Sequence, residues 1–388
     1  MSVPMKETVE KRPQLDAAPL IVHVVRQFLP NRGGLEDVVA NLARQTLKRG
    51  YRVRVVTLDS LFTAPENKLP ARETIDGIEV VRIPWSGSRR YPVAPQVFRH
   101  IGDADLIHVH AIDFFFDALA WGRFLHRKPM VVTTHGGFFH TKKFLAIKKV
   151  WFRTLTRLSA IAYRRVICCS ASDLSQFVQI VPDGMTIENG ADVGKFADAA
   201  SRTPERRIVT IGRFSVNKRL DLLLDATAVL LKRHPNWHLD IIGAESDLDA
   251  ADVRREIAAR SLQASVTLTV SPDNHAIRGI IAKASLMASA SEYEGFGIVA
   301  LEAMSAGLQP VLNTNEAYRV LARRHEEIIL ADFTRPELAA DAIEKAYRNV
   351  TVEGLSLRKS LMQAAHAYSW DAVAERYIDL YRSIGIGT

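Results

Sequence analysis

Apolar residues along this chain gather in short continuous runs separated by longer stretches of helical period. The runs Leu20–Val25, Val53–Leu58, Ile78–Ile83, Leu106–His110, Met130–Thr134 and Arg165–Cys169 are rich in β-branched residues, and amphipathic stretches such as Leu35–Arg49 lie between several of them. Runs of this kind predict parallel strands covered on both faces, hence a doubly wound α/β domain. The pattern lapses over Gly194–Arg207, where small, charged and proline residues show no apolar period, and this reads as a linker. It then restarts. Strands are expected at Ile208–Ile211, Leu239–Ile242, Val266–Val270, Leu286–Ala290 and Pro310–Asn313, with helices at Arg219–Arg233, Ala251–Arg260, Asn274–Lys283 and Ile298–Ala306. The fold class is therefore α/β, with two doubly wound Rossmann-like domains facing across a cleft, where ligands of such sheets bind.

The 388 residues suit two domains, and an ordinary composition (47% hydrophobic, 24% charged) gives each a core. The polar N-terminus has no secretory apolar core, and no apolar stretch is long enough to span a membrane. Cys168 and Cys169 are adjacent and form no disulfide framework, which fits a reducing cytoplasm.

Charge changes the picture by its position. The net charge is +8, yet from Ala118 to Ser172 there is no acidic residue and there are eleven basic ones: Arg123, Arg127, Lys128, Lys142, Lys143, Lys148, Lys149, Arg153, Arg157, Arg164 and Arg165. Within it, His140–Arg165 reads as a basic amphipathic helix or helix pair, with Phe144, Trp151, Leu158 and Ile161 among its apolar residues. A solvated face on a packed helix is one reading. Peripheral contact with an anionic membrane surface is favoured by the missing acidic residues. No nucleic-acid module is present, so nucleic acid is not an expected partner.

Three segments carry candidate chemistry. Gly33 and Gly34 stand between the first strand and its helix, a turn that either is structural or lets backbone amides approach a diphosphate. Gly212-Arg213-Phe214-Ser215-Val216-Asn217-Lys218 sets a guanidinium and an ammonium five residues apart after a strand, suited to phosphate or simply solvated. The most specific is Glu294-Gly295-Phe296-Gly297-Ile298-Val299-Ala300-Leu301-Glu302: two carboxylates eight apart, with a glycine-flanked helix start between them whose first amides form an anion site.

The Glu294–Glu302 segment resembles the E-x7-E signature of glycosyltransferase family 4, retaining enzymes of the GT-B architecture. The Gly-Arg…Lys and Gly-Gly segments are similar to that family's other markers, in the same order, so the resemblance spans about residues 19 to 383. It implies an acceptor-side domain over 1–195, a nucleotide-sugar-binding domain over 205–370, and a final helix over 371–388 crossing back to the first domain. It implies that Arg213 and Lys218 neutralise the leaving diphosphate, that Glu294 binds hydroxyls of the transferred sugar and Glu302 the ribose, and that Gly295, Phe296, Gly297, Ile298 and Val299 line the donor beside Gly33 and Gly34. His135, ending a strand in Thr133-Thr134-His135-Gly136-Gly137, matches a position near the anomeric centre.

Fixed positive charge would then do the work of a metal ion, so no metal or other cofactor is expected. Asp103/Asp105 and Asp247/Asp249 are Asp-x-Asp pairs, but neither sits directly at a strand end. The segment Leu312–Tyr318 departs from the family, which often has a Gly-Gly turn with a following Glu there. Among family members the chain looks most like bacterial polysaccharide-assembly mannosyltransferases that use GDP-mannose and a polyprenyl-diphosphate-linked acceptor. On that resemblance Arg89, Arg90 and Tyr91 join Lys142, Lys143, Lys148, Lys149 and Arg153 as acceptor or membrane candidates, at the inner face of the plasma membrane. A UDP-sugar donor is the alternative within the family. A non-catalytic, membrane-docked subunit of a polysaccharide assembly complex is the alternative outside it.

Overall fold

The computed structural model describes residues 18–31, 33–135 and 151–387, except the side chains of Ala171 and Ser172. They divide into two compact units. The first runs to Gly190 and regains the chain from Trp370 onward, and the second is Ala191–Ser369.

In the first unit the strands are β1 (Leu20–Val24), β2 (Arg52–Leu58), the β3–β4 hairpin (Ser60–Leu61 with Ala64–Lys68), β5 (Arg72–Ile75), β6 (Ile78–Ile83), the β7–β8 hairpin (Ser86–Ser88 with Tyr91–Val93), β9 (Leu106–His110), β10 (Met130–Thr133), β11 (Arg165–Cys168) and β12 (Met185–Thr186). The main sheet has the order β12-β11-β10-β9-β1-β2-β6-β5, parallel except for β5 against β6. Every residue of β1 and β9 is buried, as covering on both faces requires. The final helix, Trp370–Ser383, lays Val373, Ala374, Tyr377, Ile378 and Tyr381 onto Ile21, Leu106, Val131 and Ile167. Glu375 and Asp371 of that helix pair with Arg49, at 2.9 and 2.8 Å.

The second unit is a six-stranded parallel sheet. Its strands are β13 (Arg207–Ile211), β14 (His238–Gly243), β15 (Val266–Val270), β16 (Leu286–Ser289), β17 (Gln309–Asn313) and β18 (Ile329–Ala331), in the order β15-β14-β13-β16-β17-β18. In each sheet the first strand lies inside, and the order reverses between it and a later neighbour: β1 and β9, then β13 and β16. Such reversal points are where ligands of open α/β sheets bind.

Residues 194–207 pack differently from what their composition implies. Phe196, Ala199 and Ala200 are buried in the second unit's core with Met304 and Leu357. Arg358 binds Asp198 Oδ1 at 2.7 Å and the carbonyls of Asp198 and Ser201. The segment lacks periodicity because it packs as an irregular strap, whose partners are more than 80 residues distant.

Candidate active site

Lys218, Arg213 and Glu294 come together at the second reversal point. β13 ends at Ile211 and runs through Gly212 into a short turn over Val216–Lys218. β16 ends at Ser289 and leads to Glu294. Lys218 Nζ donates to Glu294 Oε1 at 2.5 Å, with both side chains largely covered. The loops are further tied by Asn217, whose Nδ2 donates to the Tyr293 carbonyl at 3.1 Å and whose carbonyl accepts from Glu292 N at 2.8 Å. Arg219 clamps Glu292 as well. Arg213 is exposed and has no ion pair among the described residues.

Two close approaches make this turn possible. A Cβ at Gly243 would lie 1.7 Å from the Gly212 carbonyl oxygen, so only glycine lets β14 pass the end of β13. A Cβ at Gly212 would press on the Lys218 side chain at 3.2 Å. Gly212, Arg213, Lys218, Ser289 and Ser291 line one small recess. A larger depression of about 540 Å³ adjoins the same turn, lined by Val216, Arg219, Asp221, Asp252, Arg255 and Arg260. There Arg219 pairs with Asp221, and Arg255 with Asp252.

The helix Ile298–Ala306 starts at Gly297, whose φ of 86° is left-handed, and no side chain caps it. Its first amides therefore keep donor capacity beside Glu294. Phe296 and Val299 pack partly against the core, and Ile298 and Gly295 stay exposed. One turn into the helix, Glu302 is nearly covered. Burial pushes its carboxyl up, while Lys195, 3.9 Å away, pulls it down.

Several residues of this site had no signal in the sequence. Tyr318, fully buried, donates from its phenol to Glu294 Oε1 at 3.2 Å, and its phenol oxygen meets the Ser289 hydroxyl at 3.0 Å. Burial, then the Glu294 charge, raise that phenol's pKa, so it remains a donor. Asn315 caps the helix carrying Tyr318 and, with Asn313, binds the Ser291 carbonyl. The stretch that departs from the family pattern thus holds the Glu294 loop. Lys195 lies in the segment whose composition reads as a linker.

In the first unit, Gly33 is extended (φ −164°) and precedes the helix Gly34–Lys48, again without a side-chain cap. Glu36 bonds Asn31 Nδ2 at 2.8 Å. His135 follows β10 with a left-handed φ of 54°. Its ring turns into the unit: Nε2 meets His110 Nδ1 at 3.0 Å and Nδ1 meets Cys169 Sγ at 3.7 Å. Burial lowers its pKa to about 3. Cys168 is buried, and Cys169, half-buried beside His135, has its thiol pushed up to about 12 by burial.

Arg89 and Arg90 are exposed at the β7–β8 turn, and Tyr91 anchors that hairpin by donating to Asp117 Oδ2 at 2.9 Å. Gly136, Gly137, Lys142, Lys143, Lys148 and Lys149 lie outside the described residues. Arg153 is exposed in a π-helical turn (Phe152–Thr156). There Phe152, Thr156, Ser159, Ala160 and Tyr163 face inward, while Trp151, Leu158 and Ile161 are exposed. The Asp-x-Asp carboxylates have structural tasks: Asp103 binds Arg54, Asp105 accepts from Leu20 N, Asp247 from Val216 N, and Asp249 caps Ala250–Ala259.

The family model "Glycosyltransferase Family 4" matches residues 32–195, and "Glycosyl transferases group 1" matches 195–367. A GDP-mannose:cellobiosyl-diphosphopolyprenol alpha-mannosyltransferase of Komagataeibacter xylinus is 43% identical over 366 residues, covering 94% of this chain and 93% of that protein. The protein of the same description from Xanthomonas oryzae pv. oryzae is 44% identical over 370 residues, covering 94% and 97%. A solved glycosyltransferase from Rickettsia africae superposes with a TM-score of 0.69 at 14% identity, covering 95% of this chain and 99% of that one, so the fold is shared. These matches run through both units and through the segments that carry Lys218, Glu294 and Glu302, and the chain belongs to the family 4 glycosyltransferases of the GT-B class.

Proposed function

We propose that the protein transfers mannose from GDP-mannose, with retention of configuration, to a polyprenyl-diphosphate-linked glycan during cell-surface polysaccharide synthesis. The donor and acceptor are those in the names of its relatives. The observation that carries the site is the juxtaposition of Lys218, Glu294 and exposed Arg213 with an uncapped helix start at one sheet reversal point.

Cleaving a glycosyl–phosphate bond develops positive charge on the sugar and negative charge on the departing diphosphate. Arg213, Lys218 and the amides of Gly297, Ile298 and Val299 oppose that negative charge, so no divalent cation is required. Glu294, oriented by Tyr318, takes sugar hydroxyls; Glu302 takes the ribose. Gly33 and Gly34 admit the phosphates to the first unit's backbone, and His135 serves the anomeric side. The leaving phosphate assists removal of the acceptor proton, so no protein nucleophile is needed.

The acceptor's lipid calls for a membrane surface. No helix among the described residues is long and apolar enough to cross a membrane. Trp121, Phe124, Leu125, Leu158 and Ile161 are all more than half exposed, beside exposed Arg123, Arg127, Arg153 and Arg157 and with no acidic residue from 118 to 172. Apolar side chains among cations suit a peripheral hold on anionic headgroups, with Arg89, Arg90 and Tyr91 toward the acceptor.

The test is a donor screen, GDP-mannose against UDP-sugars, with a polyprenyl-diphosphate-linked acceptor and a chelator arm, the product's anomeric configuration being read by NMR. α-Mannosyl product that survives the chelator is expected. Turnover with UDP-sugars alone, an inverted product or loss of activity on chelation would each remove the corresponding part of the proposal.

A further inference from the structure

Four imidazoles fill the reversal point of the first sheet. His23 comes from β1, His108 and His110 from β9, and His135 follows β10. They form a chain of contacts: His23 Nδ1 to His110 Nε2 at 2.9 Å, His110 Nδ1 to His135 Nε2 at 3.0 Å, and His135 Nδ1 to Cys169 Sγ at 3.7 Å. His108 stacks on His110 with ring centroids 4.1 Å apart. It is itself fixed by Tyr381 Oη at 2.7 Å and Thr133 Oγ1 at 2.8 Å.

The group superficially suits a metal ion, since nitrogens of His23, His108 and His110 lie within 4.8 Å of one another. The hydrogen bonds argue otherwise, because both nitrogens of His108 and of His110 already have partners. Burial disfavours protonation along the chain. Each neutral imidazole has one donor and one acceptor nitrogen, so a linear chain has only two self-consistent settings, and fixing one ring fixes the rest. Meanwhile the left-handed backbone of His135 is strained for a residue with a side chain and persists only where its surroundings hold it. The ring's anchorage inside the unit supplies that hold.

We propose that His110 is a positioning residue: its Nδ1 contact pins the His135 ring, fixing that ring's tautomer and, with it, the turn at the end of β10. The inference rests on the assignment of His135 to the anomeric side, and a His135→Ala arm separates the two.

Asparagine places its amide near the Nδ1 position of histidine and glutamine near the Nε2 position, and either amide can donate or accept. His110→Asn keeps the contact to His135 and loses that to His23, whereas His110→Gln does the reverse. Steady-state kinetics with GDP-mannose should show kcat near wild type for His110→Asn. His110→Gln should lose up to about 100-fold in kcat, the scale of a small misplacement at a reacting centre, with donor KM little changed. Both variants should melt at similar temperatures.

Equal kcat losses in the two variants, or the larger loss in His110→Asn, overturn the positioning role. Full activity of His135→Ala overturns the parent assignment instead. Should His110→Gln fail to fold, the ring nitrogens of His135 in the wild-type protein, read by long-range 1H–15N NMR, decide the matter: a single neutral tautomer supports the proposal and a mixture sinks it.

Discussion

The same topological position is built in opposite chemistries in the two units. At the β13–β16 reversal of the second unit stand an ammonium, a carboxylate and an exposed guanidinium. At the β1–β9 reversal of the first stand neutral, buried histidines held by hydroxyls and a thiol. One doubly wound frame thus supports fixed charge in one unit and uncharged polar contacts in the other. A site that must meet a developing diphosphate charge needs formal charge kept partly in water, whereas a support inside a sheet must stay neutral because burial penalises ions.

The sharpest way to break the contrast is to remove charge from the second unit. Glu294→Ala and Lys218→Ala should abolish detectable transfer, a loss of about 10³-fold or more, with circular dichroism unchanged. Full activity in either variant would remove the site from this reversal point.

Next is the basic stretch of sequence between residues 118 and 172. Replacing Lys142, Lys143, Lys148 and Lys149 by glutamate, at about 1 kcal/mol for each basic residue near a surface, should weaken binding to vesicles with 30% anionic lipid by roughly 100-fold or more. The wild-type affinity should also fall with added salt. Phe124→Ser with Leu125→Ser should weaken binding in a way that salt does not reproduce. Salt-insensitive or absent binding of the wild-type protein counts against the membrane partner.

A smaller effect is expected for Tyr318→Phe. It deletes one hydrogen bond to Glu294, worth about 1–1.5 kcal/mol, so kcat/KM should fall roughly 10-fold. No change would mean that Glu294 is oriented by Lys218 alone.

The last concerns stability, and a buried carboxyl in the first unit. Burial raises Asp113 to about 7, against 3.8 for an exposed aspartate. The folded state then holds a proton that the unfolded chain releases, so this group's contribution to stability falls as pH rises from about 4 through 7. Asp113→Asn keeps an oxygen for the cap it gives to Phe115 N. It should raise stability at pH 8 by roughly 1–3 kcal/mol and leave it unchanged at pH 4. Equal melting temperatures of the two proteins at pH 8 would show that this carboxyl ionises freely.

The fold and half of the candidate site were legible in the residues themselves. Continuous apolar runs fixed the eleven expected strands to within a residue or two, because a strand buried on both faces must be apolar throughout, whereas the edge strands β5, β12 and β18 and the two hairpins carry no such run. Gly297 and the Glu294–Glu302 spacing announced a helix start between carboxylates, because a left-handed entry favours glycine. What supports those groups depended on tertiary structure. Tyr318 reaches Glu294 from 24 residues away and Tyr381 reaches His108 from 273. Phe196 turns an apparent linker into core. Periodicity and turn chemistry are local and leave a mark in neighbouring residues, whereas a contact between distant strands and helices leaves none until the chain has packed.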